Sequence, residues 1–307
     1  FLMEKMMRIL IVGGTGLIGG HVALELVAAG HDVTLMARKA PSTPSLSKMP
    51  FVIGDYVMDD FSDGRLEGFD ALLFAAAVDI RYLPQDGSET PDTFYERCNS
   101  VGVPNFLEMA KRAGIPKVVY VGSFYPQVVP ERISVCPYVE SRHLADERAR
   151  ALASPDFSVC SVNAPYVLGA LPGLDIQHLS VMVAYARGHL TELPAFAPPG
   201  GTNHLSVKSL SQALISALVN GESGKAYLVG DENYSWKDYL ELWFSIAGNP
   251  LELEVRTDDH PLLPNVIMFA GIGATVSYEP DPEELTLLGY SRNQIKDAIK
   301  EVIAVYG

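Results

Sequence analysis

The chain is poor in positive charge. Its 307 residues carry 23 Lys and Arg against 37 Asp and Glu, a net charge of −14. Binding to a phosphate backbone or an acidic membrane surface needs a basic face, so neither a nucleic-acid partner nor a membrane partner is expected. No apolar run reaches the roughly 18 residues of a membrane-spanning helix. The longest, Ala71–Val78 and Val266–Val276, have the length of a core strand or core helix. Cysteine is scarce: Cys98, Cys136 and Cys160, with no CxxC pair. That odd count suggests neither a disulfide frame nor a cysteine zinc site. The seven histidines lack HExxH spacing, so no protein-held metal is expected. The GxSxG elbow of the hydrolases is missing too; Gly122-Ser123-Phe124-Tyr125 does not match it. Phe1–Arg8 carries Glu4 and no signal-type cleavage pattern, which reads as a cytoplasmic protein.

What is present is a well-supplied core, with 48% apolar and 20% charged residues. The first half alternates regularly. Strands are expected at Arg8–Val12, Val33–Met36, Phe51–Ile53, Ala71–Ala75, Lys117–Val121 and Phe157–Val162, each a short β-branched or apolar run. Between them lie helical stretches: one ending at Ala29 before Gly30, one over Thr93–Ala113, and one over Tyr138–Ala153. Alternating strands and helices mean βαβ units and a doubly wound parallel sheet, an α/β fold. After Asn163 the pattern changes. Leu193–Gly201 is a Pro/Gly loop, Ser206–Val219 and Ser235–Ala247 read as helices, and Lys225–Val229 as one more strand returning to the sheet. Ser291 and Gln294 form a Ser-x-x-Gln capping box that would open the last helix. The expected division is residues 1–163 for this alternating unit and 164–307 mainly for a smaller lid, with about 203–230 returning to the main sheet.

Gly13-Gly14-Thr15-Gly16-Leu17-Ile18-Gly19 lies between the first strand and the first helix. Gly13 permits a tight turn, Gly16 lets the backbone approach a pyrophosphate, and Gly19 lets helix and strand pack closely. The helix start then offers free N–H groups and a positive dipole end to the phosphates. An NAD site needs a carboxylate about 20 residues past the glycines. The corresponding position is near Ala37, followed by Arg38 and Lys39. Two cations there suit a 2′-phosphate, so NADP(H) is expected over NAD(H).

These segments together resemble the extended short-chain dehydrogenase/reductase family, the NAD(P)-dependent epimerase/dehydratase group. Gly13–Gly19 resembles its TGGTGFIG, Gly54-Asp55 its GD, Ala75-Ala76-Ala77 its HLAA, Asn99–Gly102 its NVxGT, and Val119–Ser123 its VYVSS. Asn163–Gly169 is similar to its NPxxVxG turn, and Leu288-Gly289-Tyr290 to its C-terminal ending. The likeness spans nearly the whole chain. It implies a Rossmann-type sheet with a C-terminal substrate-binding lid. It further implies cofactor contacts from Gly13, Thr15, Gly16, Leu17, Ile18, Gly19, Arg38, Lys39, Asp55, Ala75, Ala76 and Ala77. Tyr138 stands at the tyrosine of the family's YxxxK, as proton donor or acceptor. Tyr138 and Arg142, four apart, share one helix face, and both would also touch the cofactor. Ser123 would bind the reacting oxygen, and Asn99 would order a relay water. Tyr125 is the reserve acid/base.

One departure matters: position 142 is Arg where the family has Lys. A cation beside a phenol favours its ionised form, and Arg keeps that charge. It cannot shuttle a proton, which puts turnover rather than cofactor binding in question. The gap from Ser123 to Tyr138 is also short for the family. Between Asn163 and Gly201 only Arg187 could meet a diphosphate, while Leu168, Leu171, Leu174, Val181, Met182, Val183, Tyr185, Leu193 and Phe196 make the lid apolar. This favours hydride transfer to or from a carbonyl or alcohol on an apolar small molecule, as in relatives of dihydroflavonol reductase or the hydroxysteroid dehydrogenases. The alternatives are a nucleotide-sugar epimerase or dehydratase, and a non-catalytic NADP-binding sensor. Relatives often dimerise through the helices matching Thr93–Ala113 and Tyr138–Ala153, so a homodimer is expected.

Overall fold

A computed structural model describes residues 6–307; of the stretch read for a leader, Phe1–Lys5 lies outside the described residues. The elements run β1 (Arg8–Val12), α1 (Leu17–Ala28), β2 (Asp32–Ala37), β3 (Phe51–Ile53), β4 (Ala71–Phe74), α2 (Pro91–Tyr95), α3 (Gly102–Arg112), β5 (Lys117–Ser123), α4 (Tyr125–Val128), α5 (Pro137–Ala151), β6 (Ser158–Ala164), β7 (Tyr166–Leu168), α6 (Gln177–Ala186), β8 (Gly201–Ser206), α7 (Val207–Asn220), β9 (Ala226–Leu228), β10 (Glu232–Ser235), α8 (Trp236–Ile246), α9 (Pro282–Leu288) and α10 (Ile295–Tyr306). Seven strands form a parallel sheet in the order β3-β2-β1-β4-β5-β6-β9. The chain runs outward from β1 one way, then crosses to β4 and runs the other. That reversal is the doubly wound pattern, and it leaves a crevice at the carboxyl ends of the strands.

The period-2 alternation of the strands divides the core in two. Ile9, Ile11, Leu35, Leu73, Val119 and Val162 face α1 and α7. Leu10, Val12, Met36, Leu72, Phe74, Val118 and Val159 face α3 and α5. Both sets are buried, as strands covered on both faces require. A third cluster joins α6, α8 and α10 around Trp243, Tyr239 and Phe244. There the antiparallel pair β10–β8 and the parallel pair β8–β7 make a second sheet that the sequence pattern does not announce. α7 and β9 return to the main sheet, where β9 pairs with β6 and α7 packs on α1.

Three local expectations need correction. The helix read over Thr93–Ala113 starts at Pro91, on a Thr90/Thr93 capping box, and its middle turns, Glu96–Val101, are a π-helix. The Val266–Val276 run is neither core strand nor core helix. It is an irregular segment, with a single 3₁₀ turn at Asn265–Ile267 and left-handed glycines at Gly271 and Gly273. The Ser291 box does not form. α10 begins at Ile295, and buried Asp231 takes the Asn293 and Gln294 amides at 2.7 and 2.9 Å while Glu232 takes the Ile295 amide at 2.9 Å. Carboxylates at the start of β10 thus replace the local cap, and they also suit the positive end of the helix dipole. No helix among the described residues is long and apolar enough to cross a membrane.

Two stability predictions follow from this packing. Asp231→Ala leaves two helix-end amides without their acceptor and should cost ~2–4 kcal/mol, read as a lower urea midpoint; an unchanged midpoint would refute the capping role. His204, boxed by Tyr166, Tyr234, Trp236 and Tyr239, has a pKa lowered by burial to about 3, and burial lowers that of His260 to about 4. In the unfolded chain both titrate near 6.5. The unfolded state therefore binds more protons than the native state below that pH, and stability falls as pH drops from about 6.5 toward 4. Urea midpoints measured across that window should decline less steeply in His204→Phe; an equal slope would show that His204 does not contribute.

Candidate active site

The carboxyl ends of the strands bring the sequence-predicted groups onto one edge. The loop after β1 is a backbone cradle. Gly13 adopts φ +79°, and a Cβ there would lie 2.7 Å from the Ala75 carbonyl oxygen. At Gly19 a Cβ would lie 2.4 Å from the Gly13 carbonyl oxygen, so helix and loop touch only because both residues are glycine. Gly14 is tight as well, 2.7 Å from the Leu35 side chain. Gly16 differs: the nearest atom to a Cβ is 3.5 Å away, and the residue is exposed. Internal packing does not require glycine at Gly16, and its missing side chain leaves the backbone open to the approach of a ligand. Gly16 is also the N-cap of α1, with no side-chain cap and no acidic residue in the first turn. Those free amides form an anion site, and the cradle fits a dinucleotide's pyrophosphate. Thr15, Leu17 and Ile18 are half-buried at this turn, the latter two packed against the core below.

Past Ala37 at the end of β2, Arg38 and Lys39 are exposed and make no ion pair or side-chain hydrogen bond among the described residues. Asp55, just beyond β3, turns one oxygen onto the Val57 amide at 2.9 Å. Ala75, Ala76 and Ala77 continue β4 past its last residue and are half-buried beside the cradle.

Arg142 organises the other half. It sits on α5 one turn after Tyr138 and is 7% exposed. One Nη donates to the Tyr138 hydroxyl at 3.3 Å and the other to the Val121 carbonyl of β5 at 2.8 Å. Nε has no acceptor, and no carboxylate lies within ion-pair distance among the described residues. Burial opposes its charge, yet the Tyr120 and Tyr138 phenols beside it hold its pKa above the ordinary value. The site thus contains a permanent buried cation whose donors are aimed at a phenol and a strand carbonyl. Ser123 ends β5 two residues beyond that carbonyl. It is buried, and its hydroxyl makes no hydrogen bond among the described residues.

Asn99 lies in the π-helix and is fully buried. Its amide oxygen accepts from the Val78 amide at 3.0 Å, and its nitrogen donates to the Val78 carbonyl and to Ser141 Oγ, each at 3.1 Å. Asn99 therefore ties the loop after β4 to α5. The extra residue of a π turn re-aims side chains in this way. Tyr125 is buried against Thr202, hydroxyl to hydroxyl at 3.1 Å, and burial raises its pKa; both facts make it a poor acid/base beside Tyr138.

Several of the apolar lid residues turn out to be packing. Leu168, Met182, Val183 and Tyr185 belong to the third core cluster, and Leu171 to the main one. Aromatic groups that the sequence pattern did not single out surround Tyr138 instead. Phe269 stacks on it at 3.9 Å with an 18° interplanar angle, and Tyr95 meets it edge-on at 5.6 Å. Gly122 was readable only as part of a motif. A Cβ there would lie 1.7 Å from the Asn163 side-chain oxygen, so glycine is what lets β5 and β6 close at this edge.

Comparison with known proteins agrees with this geometry. The family model described as NAD dependent epimerase/dehydratase family matches residues 9–230. A Synechocystis protein named for dihydroflavonol 4-reductase is 24% identical over 263 residues, covering 78% of this chain and 72% of its own. A UDP-glucose 4-epimerase of Corynebacterium glutamicum is 24% identical over 286 residues, covering 81% and 83%. Among solved structures, a UDP-glucose-4-epimerase from Stenotrophomonas maltophila with bound NAD has the same fold. Its TM-score is 0.75, with 19% identity and 98% of both chains covered. With the glycine cradle, the Tyr138–Arg142 pair and the family match together, the chain belongs to the NAD-dependent epimerase/dehydratase family.

Proposed function

We propose that the protein is an NADP(H)-dependent oxidoreductase acting on a carbonyl or alcohol of an apolar small molecule. The observation that carries this is the Arg142 guanidinium held 3.3 Å from the Tyr138 hydroxyl, on the same sheet edge as the glycine cradle. When bound, the dinucleotide supplies or takes the hydride. Tyr138 gives its hydroxyl proton to the carbonyl oxygen as that oxygen gains charge, and takes it back in the reverse direction. Ser123 donates a hydrogen bond to the same oxygen and fixes its position. Arg142 holds the phenol and contributes positive charge without exchanging a proton.

The commitments of the nearby cations favour an uncharged substrate. Arg81 is taken by Asp79, Arg132 Nε by the Phe269 carbonyl, and both terminal nitrogens of Arg142 by Tyr138 and Val121. Arg187 follows the last residue of α6, with its side chain beside Gly307. A nucleotide sugar brings two phosphate charges that need paired cations when desolvated. The UDP-glucose epimerase relatives keep the nucleotide-sugar reading open to test.

For the cofactor, Arg38 and Lys39 support a 2′-phosphate. NADPH should bind more tightly than NADH, and Arg38→Ala should weaken NADPH roughly tenfold, ~1.4 kcal/mol, with NADH little changed. Fluorescence titration checks this, and tighter NADH binding by the native chain would refute the preference. For the reaction, NADPH oxidation should occur with a member of a panel of aromatic and steroid-like ketones. Tyr138→Phe should lower kcat on the order of 100-fold or more, with a far smaller change in NADPH affinity. Thermal stabilisation by UDP or dTDP but by no ketone would favour the epimerase reading. Cofactor binding with no turnover of ketones or nucleotide sugars would favour a sensor.

A further inference from the structure

Tyr138 is held by groups from distant parts of the chain. Arg142 and Tyr95 come from the helices on the main sheet, but the ring lying flat on the phenol belongs to the irregular segment between α8 and α9. That segment is anchored on both sides of its glycine turn. The Phe269 carbonyl accepts from Arg132 Nε at 3.1 Å. Beyond Gly271 and Gly273, the Ala274 carbonyl accepts from the Gly201 amide and the Val276 amide donates to the Gly201 carbonyl, each at 3.0 Å. Phe269 also meets Tyr125 edge-on at 5.6 Å. The segment thereby closes an aromatic patch that includes Phe124, Tyr125, Val139 and Val276.

We propose that Phe269 is a positioning residue for the Tyr138 phenol, and that through it the docking of the C-terminal segment is coupled to proton transfer. This rests on the reading of Tyr138 as the proton donor. A ring stacked 3.9 Å away blocks any swing of the phenol out of its own plane on that side. Arg142 fixes the hydroxyl end, and Tyr95 bounds the ring from another direction. Arg142 alone is a single long contact, so removing the stacked ring leaves the hydroxyl free to move along an arc. Proton transfer needs the donor within hydrogen-bond reach of the carbonyl oxygen, so that loss falls on kcat. Among the described residues no hydrogen bond joins this segment to the cradle, Arg38 or Lys39, so the loss falls far more on kcat than on cofactor affinity.

The test compares Phe269→Leu and Phe269→Tyr in the full chain. It uses 3-fluorotyrosine incorporated at position 138 for fluorine NMR, and steady-state kinetics with a ketone that the native chain reduces. Phe269→Leu should move the fluorine resonance, because the ring current of the stacked phenyl is gone. It should lower kcat roughly 10- to 100-fold, with KM and NADPH binding little changed. Phe269→Tyr should restore both the resonance and kcat. An unmoved resonance in Phe269→Leu overturns the contact, and a retained kcat overturns the positioning role. Failure of Phe269→Tyr to recover also overturns it, because an aromatic ring would then not be what matters. If the native chain reduces ketones but Tyr138→Phe does so equally well, the reading of Tyr138 is what fails, whatever Phe269 does.

Discussion

The buried guanidinium of Arg142 is the constraint on which the site depends. A charged side chain enclosed in protein is costly unless its donors find acceptors. Here the acceptors are the Val121 carbonyl and the Tyr138 hydroxyl. The first belongs to β5 and the second to α5, so satisfying one side chain fixes a strand end and a helix start against each other. Ser123 lies two residues past Val121 in the same strand, so that contact also helps set its place. The phenol, the serine hydroxyl and the cation are therefore three consequences of one packing arrangement. Arg in place of the family's Lys strengthens that arrangement. A planar fork reaches two acceptors at a fixed angle, where an ammonium would act as a point charge. What is given up is a group able to pass a proton on.

The opposite half of the crevice is built from backbone alone. Gly13, Gly14 and Gly19 are required by internal collisions, whereas Gly16 is required by nothing in the protein itself. That contrast separates glycines that the packing requires from one that leaves open backbone at the start of α1. Because the sheet is parallel, every strand points its carboxyl end at the same edge. The cradle after β1, the cations after β2 and the clamp at β5 then face one crevice without any further device. Asn99 and Phe269 work from outside that edge. The first straps down the loop after β4, and the second covers the phenol.

Much of the fold was legible because it is encoded over short distances. Six strands of the main sheet, its returning edge strand and the glycine turn follow from β-branched runs and from spacing, which neighbouring residues express without help. The errors fell where local signals were ambiguous. Val266–Val276 has the apolar content of a core element, but its glycines break any period, and the chain uses it as a covering loop. Ser291 and Gln294 have cap spacing, yet Asp231 and Glu232 offer stronger charged acceptors from the start of β10 and the local box is not made. The π turns around Asn99 insert a residue that helical periodicity cannot report.

By itself the sequence determined the parallel sheet, the pyrophosphate cradle, the absence of an NAD-type carboxylate after β2, and the shared helix face of Tyr138 and Arg142. Each of these is read from short segments, or from the order in which such segments follow one another along the chain. Only the tertiary structure decided that Arg142 reaches Val121, that Asn99 is consumed by Val78 and Ser141, and that Phe269 lies on Tyr138. It also decided that the apolar lid residues are mostly core. Those contacts join segments far apart in the chain, and which carbonyl or ring meets which side chain is set by how the separate layers pack together, something no local pattern carries.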